Sequence, residues 1–301
     1  MLGVPIHASP AAPVHRNDRR LNMRSLTSLV EELEQNRSLD LSQRIEALDR
    51  LEAHLLDTEL HDPAIYHRAQ ALSAFLEAAN LELYRAIRRE IRTGAQPQIL
   101  RQAVQSVGLA QGEAYDYLDE LLIGVLQFED PAAVAPLPPE MVPYQPTPAR
   151  HIFDLLARTA LTEHDVLVDL GSGLGHVPLL ASICTPARSI GIELDPAYIE
   201  CARHSAQDLN LHNVTFLEQD ARTADLSLGT VFYLYTPFTG AILRTVLDAL
   251  SREASRRQFR ICTFGPCTPI IAQENWLEPP GTLATDQIAV FHLSPRTPAP
   301  G

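Results

Sequence analysis

Apolar and polar positions follow two different periods along the chain. Between residues 25 and 130, apolar residues recur every three or four positions, which is typical of the buried face of an α-helix. Helix-start signals agree with this period, because Asp40 and Gln43 have the spacing of a capping box and Asp62 precedes a proline. No apolar stripe continues for the three or four heptads of a coiled coil. Residues 25–130 are therefore predicted to form an all-α domain.

The second half changes to short β-rich runs that alternate with helical stretches. It begins after residues 131–148, where seven prolines prevent a continuous helix and predict an extended linker. The alternation over residues 149–294 predicts a parallel sheet covered on both faces, and its last two extended runs, with no helix between them, indicate a terminal antiparallel strand. The chain ends, 1–24 and 295–301, are rich in proline without apolar periodicity and are predicted to be disordered. The predicted fold class is α/β, preceded by a helical domain.

Charge and cysteine content narrow the classes of function. The formal net charge is −13, from 24 basic and 37 acidic residues, which argues against a surface that attracts nucleic acid or anionic lipid. All of the basic residues are Arg, and no Lys occurs. Four cysteines without the short spacing of metal ligands predict free thiols and no metal site. No run approaches the roughly 20 apolar residues of a membrane-spanning helix, so we expect a cytoplasmic protein.

A glycine-rich segment is the strongest local signal. It spans Asp169–Gly175, with the sequence DLGSGLG, and joins an apolar run to a helical stretch. Glycines at such a turn let a ligand approach the backbone amides of the helix start. Glu193 and Asp220 end the next two predicted strands, so three acids lie at the carboxyl edge of the sheet, where open α/β sheets bind ligands. Because a carboxylate at Glu193 can accept from both ribose hydroxyls, the segment predicts a nucleoside-binding site.

This combination resembles the class I S-adenosylmethionine-dependent methyltransferases, over roughly Met141 to Leu293. The resemblance implies a Rossmann-like sheet with a reversed terminal strand, and S-adenosylmethionine as the cofactor, with S-adenosylhomocysteine as the product. It also implies that the glycine loop borders the methionine part, that Glu193 holds the ribose, and that Asp220 lies by the adenine amine. The full set of predicted cofactor-binding residues is Tyr144, Thr147, Asp169, Gly171, Ser172, Gly173, Gly175, His176, Glu193, Asp220 and Ala221.

A narrower resemblance lies at the end of the linker. Tyr144 and Thr147 stand three residues apart, just before the predicted methyltransferase domain. This is similar to the non-SET histone-lysine methyltransferases of the disruptor-of-telomeric-silencing type and their bacterial relatives, in which a Tyr and a Thr close over the cofactor. The linker would then also serve as a cofactor lid. His176 follows the third glycine, where that family usually has Gln.

The segment after the fourth predicted strand is where methyltransferases place groups that orient the acceptor. Here it reads Tyr235-Thr236-Pro237-Phe238, an aromatic wall with two hydroxyls and neither an amide nor a carboxylate. Tyr235 and Thr236 are therefore the candidate catalytic residues, in the role of orienting the acceptor. His176 is a candidate general base by position, but its place at the helix start beside the loop favours a cofactor contact or a capping imidazole.

The sequence thus predicts transfer of a methyl group from S-adenosylmethionine to an amine. The resemblance points to a protein lysine as the acceptor. Two alternatives stay open: a small-molecule methyltransferase, and a non-catalytic adenosyl-binding domain. In each case the helical domain is expected to mediate dimerisation or substrate recognition.

Overall fold

The computed structural model describes residues 26–36, 38–56, 62–106, 112, 114–131, 136–281 and 283–295. The predicted disordered N-terminus, 1–24, and the tail after residue 295 lie outside the described residues. By their internal contacts, the residues divide into two compact units, one up to Ala86 and the other from Ile87 onward. Among the described helices, none has the length and apolarity needed to cross a membrane.

The first unit is built from helices, as the apolar stripes predict. They are α1 (Leu26–Gln35), α2 (Leu41–Leu55) and the larger part of α3 (Pro63–Arg92). The capping box before α2 is confirmed: Asp40 Oδ1 accepts from the Gln43 N–H at 2.9 Å, and Gln43 Oε1 accepts from the Asp40 N–H at 3.0 Å. The buried core of this unit consists of Leu26, Leu29, Val30, Leu33, Ala47, Leu51, Ala69, Leu72 and Leu76.

The second unit holds a seven-stranded sheet in the order β3-β2-β1-β4-β5-β7-β6. The first five strands of this order run parallel, and β7 is antiparallel to both of its neighbours, β5 and β6, which confirms the predicted terminal antiparallel strand. The strands are β1 (Val166–Leu170), β2 (Arg188–Glu193), β3 (Val214–Glu218), β4 (Val231–Tyr235), β5 (Arg260–Phe264), β6 (Leu277–Glu278) and β7 (Ala289–Leu293). The helices that follow α3 are α4 (Gln98–Ser106), α5 (Tyr117–Leu126), α6 (Ala149–Thr159), α7 (His176–Cys184), α8 (Pro196–Asp208), α9 (Gly240–Ala254) and α10 (Thr268–Ile271).

Helices α4 and α5 belong to the unit that contains the sheet, so the contact-based division falls earlier than the proline segment 131–148. A buried guanidinium contributes to this arrangement: Arg88, at the end of α3, donates to the Val125 carbonyl and to the Asp208 carboxylate. The predicted boundary within 131–148 remains a prediction about which part of the chain folds independently.

Candidate active site

The turn after β1 brings the glycine loop against strand β2. The Gly171 and Ser172 N–H groups donate to the Ile192 carbonyl at 2.8 and 3.0 Å. Gly173 has a φ of +51°, in the left-handed region that favours glycine, and a Cβ there would overlap the ring of Tyr144. The turn therefore requires glycine for its conformation and for the close approach of an aromatic side chain.

Glu193 is fixed at the end of β2 by backbone donors. Its Oε2 accepts from the Gly173 N–H at 2.9 Å, and its Oε1 accepts from the N–H groups of Leu194 and Asp195 at 2.7 and 3.0 Å. The carboxylate is thus held against the glycine loop by an amide of that loop and by two amides of the turn before α8. A carboxylate has about four acceptor positions, so these three bonds leave capacity for a ligand hydroxyl.

Asp169 lies next to this loop on β1 and is almost completely buried, at 4% exposure. Burial raises the pKa of Asp169 well above its ordinary value, and the negative charge of Glu193 raises it further. A carboxyl group with a strongly raised pKa inside a cleft is a frequent mark of a functional site. The structure therefore places the first predicted acid where a positively charged ligand group would stabilise its ionised form.

Tyr144 covers the loop from the proline segment. Its hydroxyl lies 3.0 Å from His176 Nδ1, and its ring packs against Tyr198 with the centroids 5.0 Å apart. Burial lowers the pKa of His176 to about 4, so the imidazole is neutral near pH 7. Since a neutral Nδ1 can accept from the phenol, His176, predicted as a cofactor-binding residue, serves to hold Tyr144 in place.

Thr147, near the end of the proline segment, is hydrogen-bonded to a residue of the sheet. Its Oγ1 lies 3.0 Å from the hydroxyl of Tyr233, a fully buried side chain on β4. Tyr233 was not among the predicted site residues, because a tyrosine inside an apolar strand has the pattern of an ordinary core residue. Only its hydroxyl, which needs a buried partner, could have signalled this contact.

Two clefts open at this carboxyl edge of the sheet, and both are lined by Gly171. The larger, of about 420 Å³, is lined by the predicted residues Glu193, Asp220 and Ala221. The smaller, of about 300 Å³, is lined by seven predicted residues in total: Tyr144, Thr147, Asp169, Gly171, Ser172, His176 and Tyr235. Gly173, Gly175 and Thr236 do not contribute to the lining of either cleft.

The two predicted catalytic residues differ in what they contact. Tyr235 lines the smaller cleft, with its ring 4.8 Å from that of Phe264. Thr236 is buried, has a φ of +37°, and accepts from the Cys267 N–H through Oγ1 at 3.1 Å. Its hydroxyl thus fixes the loop after β5, whereas the side chain of Tyr235 forms part of the wall of the smaller cleft.

The hydrogen bonding of Asp220 and Ser172 bears on whether a nucleoside ligand fits the clefts. Asp220 accepts from Arg222 through both oxygens, at 2.6 to 3.0 Å, and this side-chain bond lowers the pKa of Asp220. The Oγ of Ser172 is buried and has no hydrogen-bond partner in the described part of the chain. Acids line both clefts, Asp169 the smaller and Glu193 and Asp220 the larger, and this lining fits a polar ligand that spans them.

One family model matches the part of the chain that contains the glycine loop. The model of the family described as histone methylation protein DOT1 matches residues 143–222, from just before Tyr144 to just after Asp220. This match and the seven-stranded fold support a class I S-adenosylmethionine-dependent methyltransferase. The matched part is less than half of the 301 residues. No curated protein matches the chain at a significant level.

Solved structures with similarity to the chain include methyltransferases and cofactor complexes. An RNA methyltransferase from Salinibacter ruber in complex with S-adenosyl-L-homocysteine is 25% identical, with a TM-score of 0.42 over 52% of this chain and 98% of that one. A precorrin-6y C5,15-methyltransferase from Geobacter metallireducens is 17% identical, with a TM-score of 0.39 over 51% and 90%. A mutant of MtNAS in complex with S-adenosylmethionine is 14% identical, with a TM-score of 0.40 over 90% and 97%.

Proposed function

We propose that this chain transfers the methyl group of S-adenosylmethionine to an amine, and that the amine belongs to a protein lysine. The observation that carries the proposal is Glu193, whose carboxylate is tied to the glycine loop and faces the larger cleft. The lysine acceptor is supported by the DOT1 match, which includes both Tyr144 and Thr147. The cytoplasm remains the expected location.

The predicted residues divide the ligand between the two clefts. Glu193 would accept from the ribose hydroxyls and Asp220 would lie by the adenine, while Asp169 and the glycine loop would hold the methionine part. When bound, S-adenosylmethionine supplies a methyl group on a positively charged sulfur that a nucleophile can attack.

The chain's own contribution to the reaction is orientation and exclusion of water. The ring of Tyr144 closes over the glycine loop, and Tyr235 provides a wall with a hydroxyl that can align an amine. Alignment of two reacting groups in a dry site lowers a barrier by several kcal/mol. His176 is neutral and bonded to Tyr144, so we assign it to positioning rather than to proton transfer.

Cofactor binding is tested by calorimetry with S-adenosylmethionine and S-adenosylhomocysteine. Glu193→Ala is expected to weaken binding at least tenfold, because it removes the ribose acceptor and loosens the glycine loop. Glu218→Ala is the matched control, since Glu218 is an exposed acid paired in register with Glu193 on the next strand. Equal binding by the parent and by Glu193→Ala would contradict the proposed site.

Methyl transfer is tested with cofactor that carries a labelled methyl group, added to a lysate and followed by size fractionation. Because the chain contains no lysine, methyl-lysine in the labelled product must come from an acceptor protein. We expect label in protein, recovered as methyl-lysine after hydrolysis. Label confined to small molecules would refute the protein acceptor, and binding without any transfer would favour the non-catalytic alternative.

A further inference from the structure

A short antiparallel pairing fastens the proline segment to the loop after β4. Met141 and Phe238 form a bridge, the Val142 N–H donates to the Pro237 carbonyl at 3.1 Å, and the Thr239 N–H donates to the carbonyl of residue 140 at 2.8 Å. The proline segment therefore does not only join two parts of the chain. It is hydrogen-bonded to the same loop that carries the candidate acceptor-orienting residues.

The side chain of Glu140 adds a second fastening. Its Oε2 accepts from the N–H groups of Ala241 and Ile242, at 3.0 and 3.2 Å, in the first turn of α9. These amides have no partner within their own helix, and a negative charge there also meets the positive end of the helix dipole. Gly240 makes room for the carboxylate, because a Cβ at that position would overlap Glu140 Oε1.

We define the strap as residues 138–147. Pro138 and Met141 line the larger cleft, and Tyr144 and Thr147 line the smaller one. At its far end the strap is held by the Thr147–Tyr233 contact, and at its near end by Glu140. Apart from Pro138, every residue that the strap contributes to the clefts therefore lies at or between these two attachments.

We propose that Glu140 is a positioning residue that holds the strap over the cofactor clefts. The part of this proposal that concerns the cofactor rests on the proposed function. Glu140 is exposed, so its bonds form in contact with water and are partly screened by salt. We accordingly expect a moderate effect, a three- to tenfold loss of affinity when the carboxylate is removed, which is of the size of a lost helix cap.

The main test measures hydrogen exchange and ligand affinity on the same variants of the full chain. Glu140→Ala is expected to speed amide exchange in residues 136–148 and to weaken S-adenosylhomocysteine binding three- to tenfold. Glu140→Gln keeps one acceptor oxygen and should recover part of both effects. Asp40→Ala is the matched control, because it removes a helix-capping acid from α2 and should leave the affinity unchanged.

A second perturbation displaces the carboxylate without removing it. Gly240→Ala inserts a Cβ into the space of Glu140 Oε1 and should reproduce the loss of affinity. Gly94→Ala is its control for backbone strain, since Gly94 also has a positive φ but has no atom within 4 Å of the place that a Cβ would take. Gly240→Ala and Glu140→Ala disrupt the same contact, between the Glu140 carboxylate and the start of α9. The double variant should therefore lose little more affinity than either single variant.

The results of these experiments distinguish a failure of the positioning role of Glu140 from a failure of the proposed function. If the parent protein does not bind S-adenosylhomocysteine, the proposed function fails, and exchange in residues 136–148 still decides whether Glu140 holds the strap. If the parent binds and both Glu140→Ala and Gly240→Ala bind within twofold of it, the positioning role is overturned. The positioning role would also be overturned if the loss of affinity were proportional to the loss of thermal stability in all variants, including Asp40→Ala.

Discussion

Asp169→Asn should make the ligand-free protein more stable and the cofactor complex weaker. In the folded chain Asp169 is 4% exposed and lies near the charge of Glu193, and both features raise its pKa. An amide of the same shape carries no charge that can be destabilised in this way. A residue kept for structure would show the opposite result, with stability lost on substitution.

The expected gain is moderate. An uncompensated buried carboxylate costs several kcal/mol, and the amide that replaces it still has polar atoms to bury, at about 1–3 kcal/mol. The difference is about 1–3 kcal/mol, which corresponds to a rise in Tm of about 2–12 °C for a unit of roughly 150–250 residues. Cofactor affinity should fall at least tenfold, because the ionised partner of a positive ligand group is lost.

The pH dependence of stability tests whether the Asp169 carboxyl causes the difference between the variant and the parent. A raised folded pKa means that the folded chain binds the proton more tightly, so stability falls as pH rises from about 4 to the folded pKa. The advantage of Asp169→Asn over the parent should therefore be small near pH 4 and large at pH 7. It is measured by thermal unfolding at several pH values, with calorimetry for the affinity.

Asp165, one residue before β1, is the matched control. Burial acts to raise its pKa, but bonds from the Thr162 N–H and the Thr230 hydroxyl, at 2.9 and 2.8 Å, outweigh burial and lower it. Asp165→Asn should thus lose about 1–2 kcal/mol at pH 7, a deficit that closes as pH falls. A less stable Asp169→Asn with unchanged affinity would refute the assignment of Asp169 to ligand binding.

Three further predictions concern Gly173 in the glycine loop, the candidate acceptor-orienting residue Tyr235, and Arg88 at the end of α3. Gly173→Ala should weaken S-adenosylhomocysteine binding more than tenfold in calorimetry, because its Cβ would displace Tyr144; undiminished affinity would show that Tyr144 is not needed over the loop. Tyr235→Phe should lower kcat about tenfold in the transfer assay while cofactor Kd stays constant, and a change confined to Kd would contradict the acceptor role. Arg88→Ala should reduce stability by about 1–3 kcal/mol in denaturant unfolding, since it leaves the buried Val125 carbonyl without this donor while Asp208 keeps its bond from Arg92, with the affinity retained as its internal check.

Most of the fold could be predicted because its signals are local. The capping box at Asp40 and the alternation of strand and helix need only the neighbouring residues, and both are confirmed. The partners within the site are not local. Tyr233 reaches Thr147 across 86 positions, and Glu140 reaches α9 across about 100, so no spacing rule could join them. Thr236 illustrates the opposite error. Its residue type and its position at the carboxyl edge of the sheet predict an acceptor-orienting hydroxyl, but that hydroxyl accepts from the Cys267 N–H.

Cofactor binding should release a proton, and the released proton should come from Asp169. Burial raises the pKa of Asp169, so the free site holds this proton more tightly than an exposed carboxyl would, and an ammonium group bound beside it would favour the ionised form. His176, with a pKa of about 4, and the tyrosines Tyr144 and Tyr233, whose pKa values are raised by burial, all stay neutral between pH 5 and 8. Affinity should therefore increase as pH rises toward the pKa of Asp169 in the free site, and binding heats below that pKa should differ between buffers of different ionisation enthalpy. Asp169→Asn should abolish the difference; equal heats for the parent in both buffers throughout the range would show that Asp169 does not ionise on binding.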